Sequence, residues 1–221
     1  MIATTLHERI LESKDWATIL FITSLALIAL TKTVFESRFS DFIRLMVSDK
    51  YIKIYKDSGN LMSWFNVLLF MVQLISLSFF VQIALSAFGY VSKADGVIYL
   101  RILTLLSVFI LSKYLVEKII ATVFDIEEFT EHFNLQKVSY RTYLAIALLP
   151  INIILFYNNN ISITLINIII FAVLSINALA YLNSLKIYQN LIIGKIFYFI
   201  LYLCTLEIAP YYIMYYLFTR K

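Results

Sequence analysis

The chain has 221 residues, of which 62% are hydrophobic and 14% are charged, whereas soluble domains average roughly 25% charged residues. This composition excludes an ordinary soluble protein, and the single cysteine, Cys204, excludes internal disulfides and Cys-x-x-Cys metal sites. The net charge of +4 comes from basic residues in short loops, so it indicates membrane orientation and not nucleic-acid binding.

Two stretches without charged residues, 61–92 and 142–185, predict the fold. A helix needs roughly 20 apolar residues to cross a hydrocarbon core of about 30 Å. We therefore predict an all-α integral membrane bundle that forms a single domain over residues 1–221, in contact with the lipid bilayer. Its six predicted transmembrane spans, in chain order, are 16–31, 61–88, 98–116, 142–156, 161–185 and 196–218.

The loop after the first span contains an amphipathic segment. On a helical wheel its apolar residues share one face, namely Phe35, Phe39, Phe42 and Met46. Such a helix is expected to lie on the membrane surface with its phenylalanine rings below the lipid headgroups.

The loop after the third span contains a second apolar stripe, formed by Leu115, Ile119, Ile126, Phe129 and Phe133. It predicts that the helix of the third span continues along the membrane interface and ends near Asn134. Glu117 is expected to face away from this stripe. Because Lys113 and Glu117 are four residues apart, we predict an ion pair between them on the helix surface.

The distribution of basic residues predicts the orientation. With six spans both termini lie on one side of the membrane, and that side carries five Lys or Arg residues. The opposite side carries 12, and Arg101 lies at a span end. The positive-inside rule therefore predicts cytoplasmic odd-numbered loops and periplasmic termini.

Glu207 is the most informative polar residue. It lies about 12 residues beyond Lys195, roughly 18 Å along a helix and near the middle of the bilayer. Pro210 interrupts the helical hydrogen bonding there, and Tyr211 lies one turn after Glu207. One hypothesis is a proton or ion relay, or a site for a cationic group. The other, which we favour, is a neutral Glu207 hydrogen-bonded to another helix.

Amide side chains within the spans could complete an intramembrane polar site. They are Asn66, Gln73, Asn152, Asn167 and Asn177. Amides inside membranes usually join helices, although polar points in interrupted helices also mark transporter sites.

The sequence predicts no catalytic, cofactor or metal site. His-Glu-x-x-His, Gly-x-Ser-x-Gly and P-loop motifs are absent from it. The acidic cluster beside His132 (Asp125, Glu128 and Glu131) is interpreted as a solvated helix face because one face supplies at most two ligands.

Three segments resemble a known family. They are Asp41-Phe42-Ile43-Arg44-Leu45, the run from Leu111 to Ile120, and the run from Tyr188 to Lys195 leading into Glu207-Ile208-Ala209-Pro210. Together they resemble an uncharacterised family of bacterial multi-pass proteins, domain of unknown function 4271. The resemblance implies a location in a Gram-negative inner membrane, among envelope secretion and surface machinery, and it implies no catalytic residue.

Three functions are compatible with the sequence. We favour a non-catalytic accessory or scaffold subunit of a cell-envelope assembly, with a membrane-protein partner. The alternative is a small transporter or proton-coupled subunit that uses Glu207. A less favoured alternative is a membrane enzyme that acts on lipid-linked substrates and holds phosphate with basic residues of the first loop (Arg44, Lys50, Lys53 and Lys56).

Overall fold

The computed structural model describes residues 14–44, 63–123, 127–158 and 162–187, and the side chains of all these except 128–133 and 181–187. Within these ranges all regular structure is helical. The six helices are α1 (Asp15–Val34), α2 (Glu36–Ile43), α3 (Trp64–Ala87), α4 (Gly96–Val123), α5 (Glu127–Tyr157) and α6 (Ile163–Ile187). The predicted all-α fold is confirmed.

Five of these helices are long and apolar enough to cross a membrane. They are α1, α3, α4, the Asn134–Tyr157 part of α5, and the Ile163–Ala180 part of α6. They lie where the first five spans are predicted. The sixth predicted span, 196–218, lies outside the described residues.

The boundary between α4 and α5 differs from the prediction. The helix of the third span ends at Val123, and a separate helix begins at Glu127 and runs through Asn134 to Tyr157. The helix of the third span therefore continues past residue 116 as predicted, but its predicted end near Asn134 is wrong. Lys137 and Arg141 caused the error, because their charges end the uncharged stretch and made the fourth span look as if it began at Thr142.

The apolar face of α2 packs against protein. Phe39 and Phe42 are buried in a cluster with Phe65 and Leu69 of α3, and Tyr143 of α5 packs against the same cluster. Phe39 and Phe42 therefore contact protein and not lipid, and their depth relative to the headgroups stays a prediction. Met46, on the same predicted face, lies outside the described residues.

A second hydrophobic cluster lies at the opposite end of the bundle. Trp16 of α1 stacks on Phe79 of α3 with ring centroids 5.8 Å apart, and Tyr99 of α4 lies 4.5 Å from the Phe79 centroid. Phe156 of α5 completes this group of rings. We call this the Trp16 end and the α2 side the Phe42 end. Consecutive spans α1, α3, α4 and α5 therefore alternate in direction, and α3 lies between the other three.

The loop between α3 and α4 is tightly organised at the Trp16 end. Gly89 adopts a φ of +79°, a conformation that residues with a Cβ rarely adopt. Gln82 donates hydrogen bonds from Nε2 to the carbonyl oxygens of Ser92 and Asp95, at 3.1 and 2.8 Å. The Asp95 carboxylate accepts bonds from the Val97 and Ile98 amides and so caps α4.

Candidate functional site

A row of polar side chains joins α3 to α5 inside the bundle. We call it the polar seam, and it consists of Gln73, Ser76, Thr142 and Asn152. All four are buried, with at most 4% of their surface exposed. Because α3 and α5 run in the same direction, residues about 69 apart in sequence lie side by side.

The hydrogen bonds of the polar seam all cross between the two helices. Thr142 Oγ1 donates to Gln73 Oε1 at 2.7 Å. Ser76 Oγ donates to the Ala145 carbonyl oxygen at 2.6 Å. Asn152 Nδ2 donates to the Ser76 carbonyl oxygen at 2.8 Å and to Ser76 Oγ at 3.2 Å. These hydrogen bonds hold α3 against α5.

Energetics explain why polar residues occupy this interface. Lipid chains are as apolar as leucine side chains, so burial of apolar surface does not drive helices together in a bilayer. A hydrogen bond between helices contributes on average about 0.6 kcal/mol, and at most about 2 kcal/mol. Several such bonds at one interface therefore fix both the pairing and the register of α3 and α5.

One side-chain oxygen of the polar seam accepts no hydrogen bond from the described residues. Asn152 Oδ1 is buried and has no hydrogen-bond partner among the described residues. Gln82 Oε1 and Tyr99 Oη, nearer the Trp16 end, are buried and unpartnered in the same part of the chain. An unpaired buried polar atom costs about 1–3 kcal/mol, so these three atoms are places where water or a ligand group would be stabilised.

The predicted amide site is assembled only in part. Gln73 and Asn152 lie in the polar seam, where Gln73 bonds Thr142 and Asn152 bonds Ser76. Asn66 lies two turns before Gln73 on α3 and is half-buried. Asn167 is exposed on α6, and the Asn177 amide donates to the carbonyl oxygen of Val173 in its own helix. The structure therefore does not bring Asn167 or Asn177 to the seam.

The remaining residues of the predicted site lie outside the described residues. They are Glu207, Pro210 and Tyr211. Their role as a relay or as helix contacts stays a prediction.

A buried ion pair joins α4 to α5 toward the Phe42 end. Lys137 Nζ lies 3.3 Å from Glu117 Oε1, and the two side chains are only 9% and 5% exposed. Lys113, one turn before Glu117, is buried as well. The pairing of Lys113 with Glu117 stays a prediction. Glu117 contacts α5 through Lys137, whereas Leu115 and Ile119 are exposed. Glu117 therefore lies on the face opposite Leu115 and Ile119, as predicted, and that face is buried against α5.

The Trp16 end carries basic residues on its rim. Lys93 Nζ donates to the carbonyl oxygen of Asn158 at 2.5 Å, which ties the α3–α4 loop to the end of α5. Partial burial, and then the charge of Lys14, lower the pKa of Lys93. Thr18 and Tyr157 share a hydrogen bond of 2.6 Å beside this contact.

Sequence reasoning missed three partners in these sites: Ser76, Thr142 and Lys137. Serine and threonine are common in transmembrane helices and usually bond to their own backbone, as Ser78 does to Leu74, so their presence alone carries little information. Lys137 lies 20 residues from Glu117, and nothing in the spacing connects them until α4 and α5 are known to be antiparallel.

Comparison with known proteins shows the family of the chain. The profile of the family described as domain of unknown function DUF4271 matches residues 17–218. The chain belongs to this family. No curated protein and no solved structure matches this DUF4271 chain. The resemblance seen in the sequence is confirmed over nearly the whole chain, and the protein is a multi-pass membrane protein.

Proposed function

We propose that this DUF4271 protein is a non-catalytic protein of the bacterial inner membrane and an accessory or scaffold subunit of a cell-envelope assembly. The observation that carries the proposal is the use of buried polar groups. The neighbouring helix is the hydrogen-bond partner of three of these side chains, Gln73, Ser76 and Thr142. Residues used in this way support a fixed bundle, as a scaffold requires.

The peripheral helices support the same proposal. Few of the described side chains of α4 and α6 are buried, and large apolar residues on both helices, such as Val108 and Phe171, are exposed. In a membrane these faces contact lipid or other transmembrane helices. A scaffold would use at least one of them to hold its partner.

Site-specific photocrosslinking tests the scaffold. A photoreactive residue replaces Val108 on α4 or Phe171 on α6, both on exposed faces, and Phe79 in the core serves as the control. We expect one outward position to give a discrete crosslinked protein in cells that the Phe79 position does not give. Crosslinks to lipid alone from both α4 and α6 would contradict the scaffold.

The proposed orientation places the Phe42 end in the cytoplasm and the Trp16 end in the periplasm. The excess of basic residues in the odd-numbered loops supports it. In a Cys204→Ser background, a membrane-impermeant maleimide should label Tyr90→Cys in intact cells and label Ser40→Cys only after lysis. Both positions are exposed, and the reverse pattern would invert the orientation.

A proton-coupled transporter is the second candidate. Asn152 Oδ1, which is buried and has no hydrogen-bond partner in the described part of the chain, favours it, because such an acceptor inside the bundle is a place for a water molecule or cation. Glu207 would be the titrating group. In proteoliposomes, Glu207→Gln should abolish a proton flux that the unaltered protein supports. If the unaltered protein carries no flux, or Glu207→Gln leaves it unchanged, this candidate fails.

A further inference from the structure

Two lysines converge at the Trp16 end of the bundle. Lys14 directly precedes α1, and Lys93 lies in the loop between α3 and α4. Trp16 Nε1 donates a hydrogen bond of 3.1 Å to the Ala94 carbonyl oxygen, which joins the start of α1 to this loop. The charge of Lys14 lowers the pKa of Lys93, so the two ammonium groups are close enough to repel each other.

The end of α5 connects the same two lysines. Lys93 Nζ donates to the Asn158 carbonyl oxygen at 2.5 Å. The residue before Asn158, Tyr157, shares a hydrogen bond of 2.6 Å with Thr18. Thr18 Oγ1 in turn donates to the Lys14 carbonyl oxygen at 3.2 Å. The start of α1 and the Lys93 ammonium are therefore held against the same end of α5.

The described residues supply no counter-ion for this pair of cations. Burial and then Lys14 lower the pKa of Lys93, and no described carboxylate acts against them. The Asp95 carboxylate accepts hydrogen bonds from the first amides of α4, and Asp15 is exposed. Both lysines are half-buried, so water screens their repulsion only in part. An anion between them removes that repulsion, and the Lys93 ammonium has further N–H donors beside the one that Asn158 accepts.

The two lysines lie at the level of the lipid headgroups. Three helices long and apolar enough to cross a membrane reach this level, because α1 and α4 begin here and α5 ends here. Lys14 and Lys93 lie just outside α1 and α4 in the chain. Trp16 and Tyr157 provide the amphipathic rings that are typical of the boundary between lipid and water. Lipid phosphates are found at the same depth.

The surface below the lysines suits acyl chains. Ile22 lies one turn after Thr18 on α1 and is 61% exposed, and Ile154 lies one turn before Tyr157 on α5 and is 68% exposed. Because Thr18 and Tyr157 bond each other, the two isoleucines lie at one depth on neighbouring helices. A phospholipid would contact both the lysines and this apolar surface, whereas a free phosphate ion would contact only the lysines.

We propose that Lys14 and Lys93 bind the phosphate group of an anionic phospholipid at the Trp16 end of the bundle. The phosphate accepts charge-assisted hydrogen bonds from both ammonium groups, and the acyl chains lie against Ile22 and Ile154. Lys93 keeps its bond to the Asn158 carbonyl oxygen. This inference does not depend on the proposed function, and it holds for either orientation in the membrane.

Lipid titration of the purified full chain tests the site. Native mass spectrometry measures binding of a short-chain phosphatidylglycerol and, as the neutral reference, of phosphatidylcholine. The variant Lys14→Gln/Lys93→Gln is compared with Lys32→Gln/Lys118→Gln, which removes the same charge from exposed lysines toward the Phe42 end. At roughly fivefold per cation, the first variant should bind phosphatidylglycerol about 30-fold more weakly. The control should lose less than about threefold on the same scale.

Two further variants separate charge from folding. The charge-conserving variant Lys14→Arg/Lys93→Arg should bind phosphatidylglycerol within about threefold of the unaltered protein. The single variant Lys14→Gln leaves the bond between Lys93 and Asn158 in place and should lose about fivefold, so it provides the readout if the double variant does not fold.

Three results would overturn the proposal. They are equal losses in the site and control variants, no preference of the unaltered protein for phosphatidylglycerol over phosphatidylcholine, and displacement of the lipid by excess inorganic phosphate but not by chloride at the same ionic strength. The last result would assign the site to the free ion.

Discussion

The central and the peripheral helices of this bundle distribute their polar residues in opposite ways. In α3, 56% of the transmembrane window is buried, against 11% in α4 and 6% in α6. The buried positions of α3 include Gln73, Ser76, Ser78 and Gln82, whereas α4 and α6 expose mainly leucine, isoleucine, valine and phenylalanine. Buried polar side chains are thus concentrated in the central helix, where another helix can satisfy their hydrogen bonds.

The largest expected effect comes from breaking the ion pair inside the bundle. Glu117→Leu leaves Lys137 buried without this carboxylate and should lower the free energy of unfolding by about 3–5 kcal/mol. The measurement is unfolding in mixed micelles with increasing SDS. Lys118→Leu, an exposed neighbour on the same helix, should change it by less than about 0.5 kcal/mol. Similar losses of unfolding free energy in Glu117→Leu and Lys118→Leu would mean that the Glu117–Lys137 ion pair does not stabilise the bundle.

A cavity in the Trp16 end should have the next largest effect. Phe79 is fully buried and contacts Trp16, Phe21 and Tyr99. Phe79→Ala should lower the free energy of unfolding by about 3 kcal/mol, the low end of the range for buried phenylalanine in soluble proteins. We expect the low end because part of the effect in soluble proteins comes from the transfer of the side chain to water on unfolding. Phe171→Ala, at a site 75% exposed on α6, is the matched control and should be nearly neutral in the same assay.

The polar seam should give a smaller, pairwise effect. A double-mutant cycle with Gln73→Leu and Thr142→Val should show a coupling energy of about 0.6 kcal/mol, the average for hydrogen bonds between transmembrane helices. Pairing Gln73→Leu with Asn177→Leu provides the control, since Asn177 bonds within α6. Additive losses for Gln73 and Thr142 would show that their bond does not hold α3 to α5.

The smallest effect is expected on the lipid-facing side. Asn167 is exposed on α6, so Asn167→Leu removes an amide from contact with lipid and should leave stability unchanged or raise it by a few tenths of a kcal/mol. A loss above about 1 kcal/mol would place Asn167 against another helix. The same unfolding assay distinguishes these outcomes.

The sequence predicts membrane helices well and their contacts poorly. Long uncharged stretches locate α3 and α6 to within a few residues, because the bilayer imposes length and polarity locally. The sequence does not locate the start of α5, because Lys137 is covered by α4 and only the assembled bundle shows that. It does not reveal what Phe39 and Phe42 contact either, because an amphipathic pattern indicates an apolar face and not what covers it.

The seam has a consequence for how the protein is made. Thr142, the partner of Gln73, follows it by 69 residues, and Asn152 follows Ser76 by 76. During synthesis α3 leaves the ribosome with its amide and hydroxyl unmatched, and they stay so until α5 is translated. The early helices must therefore be held beside the insertion machinery, or stay hydrated by it, until α5 arrives and matches these polar groups.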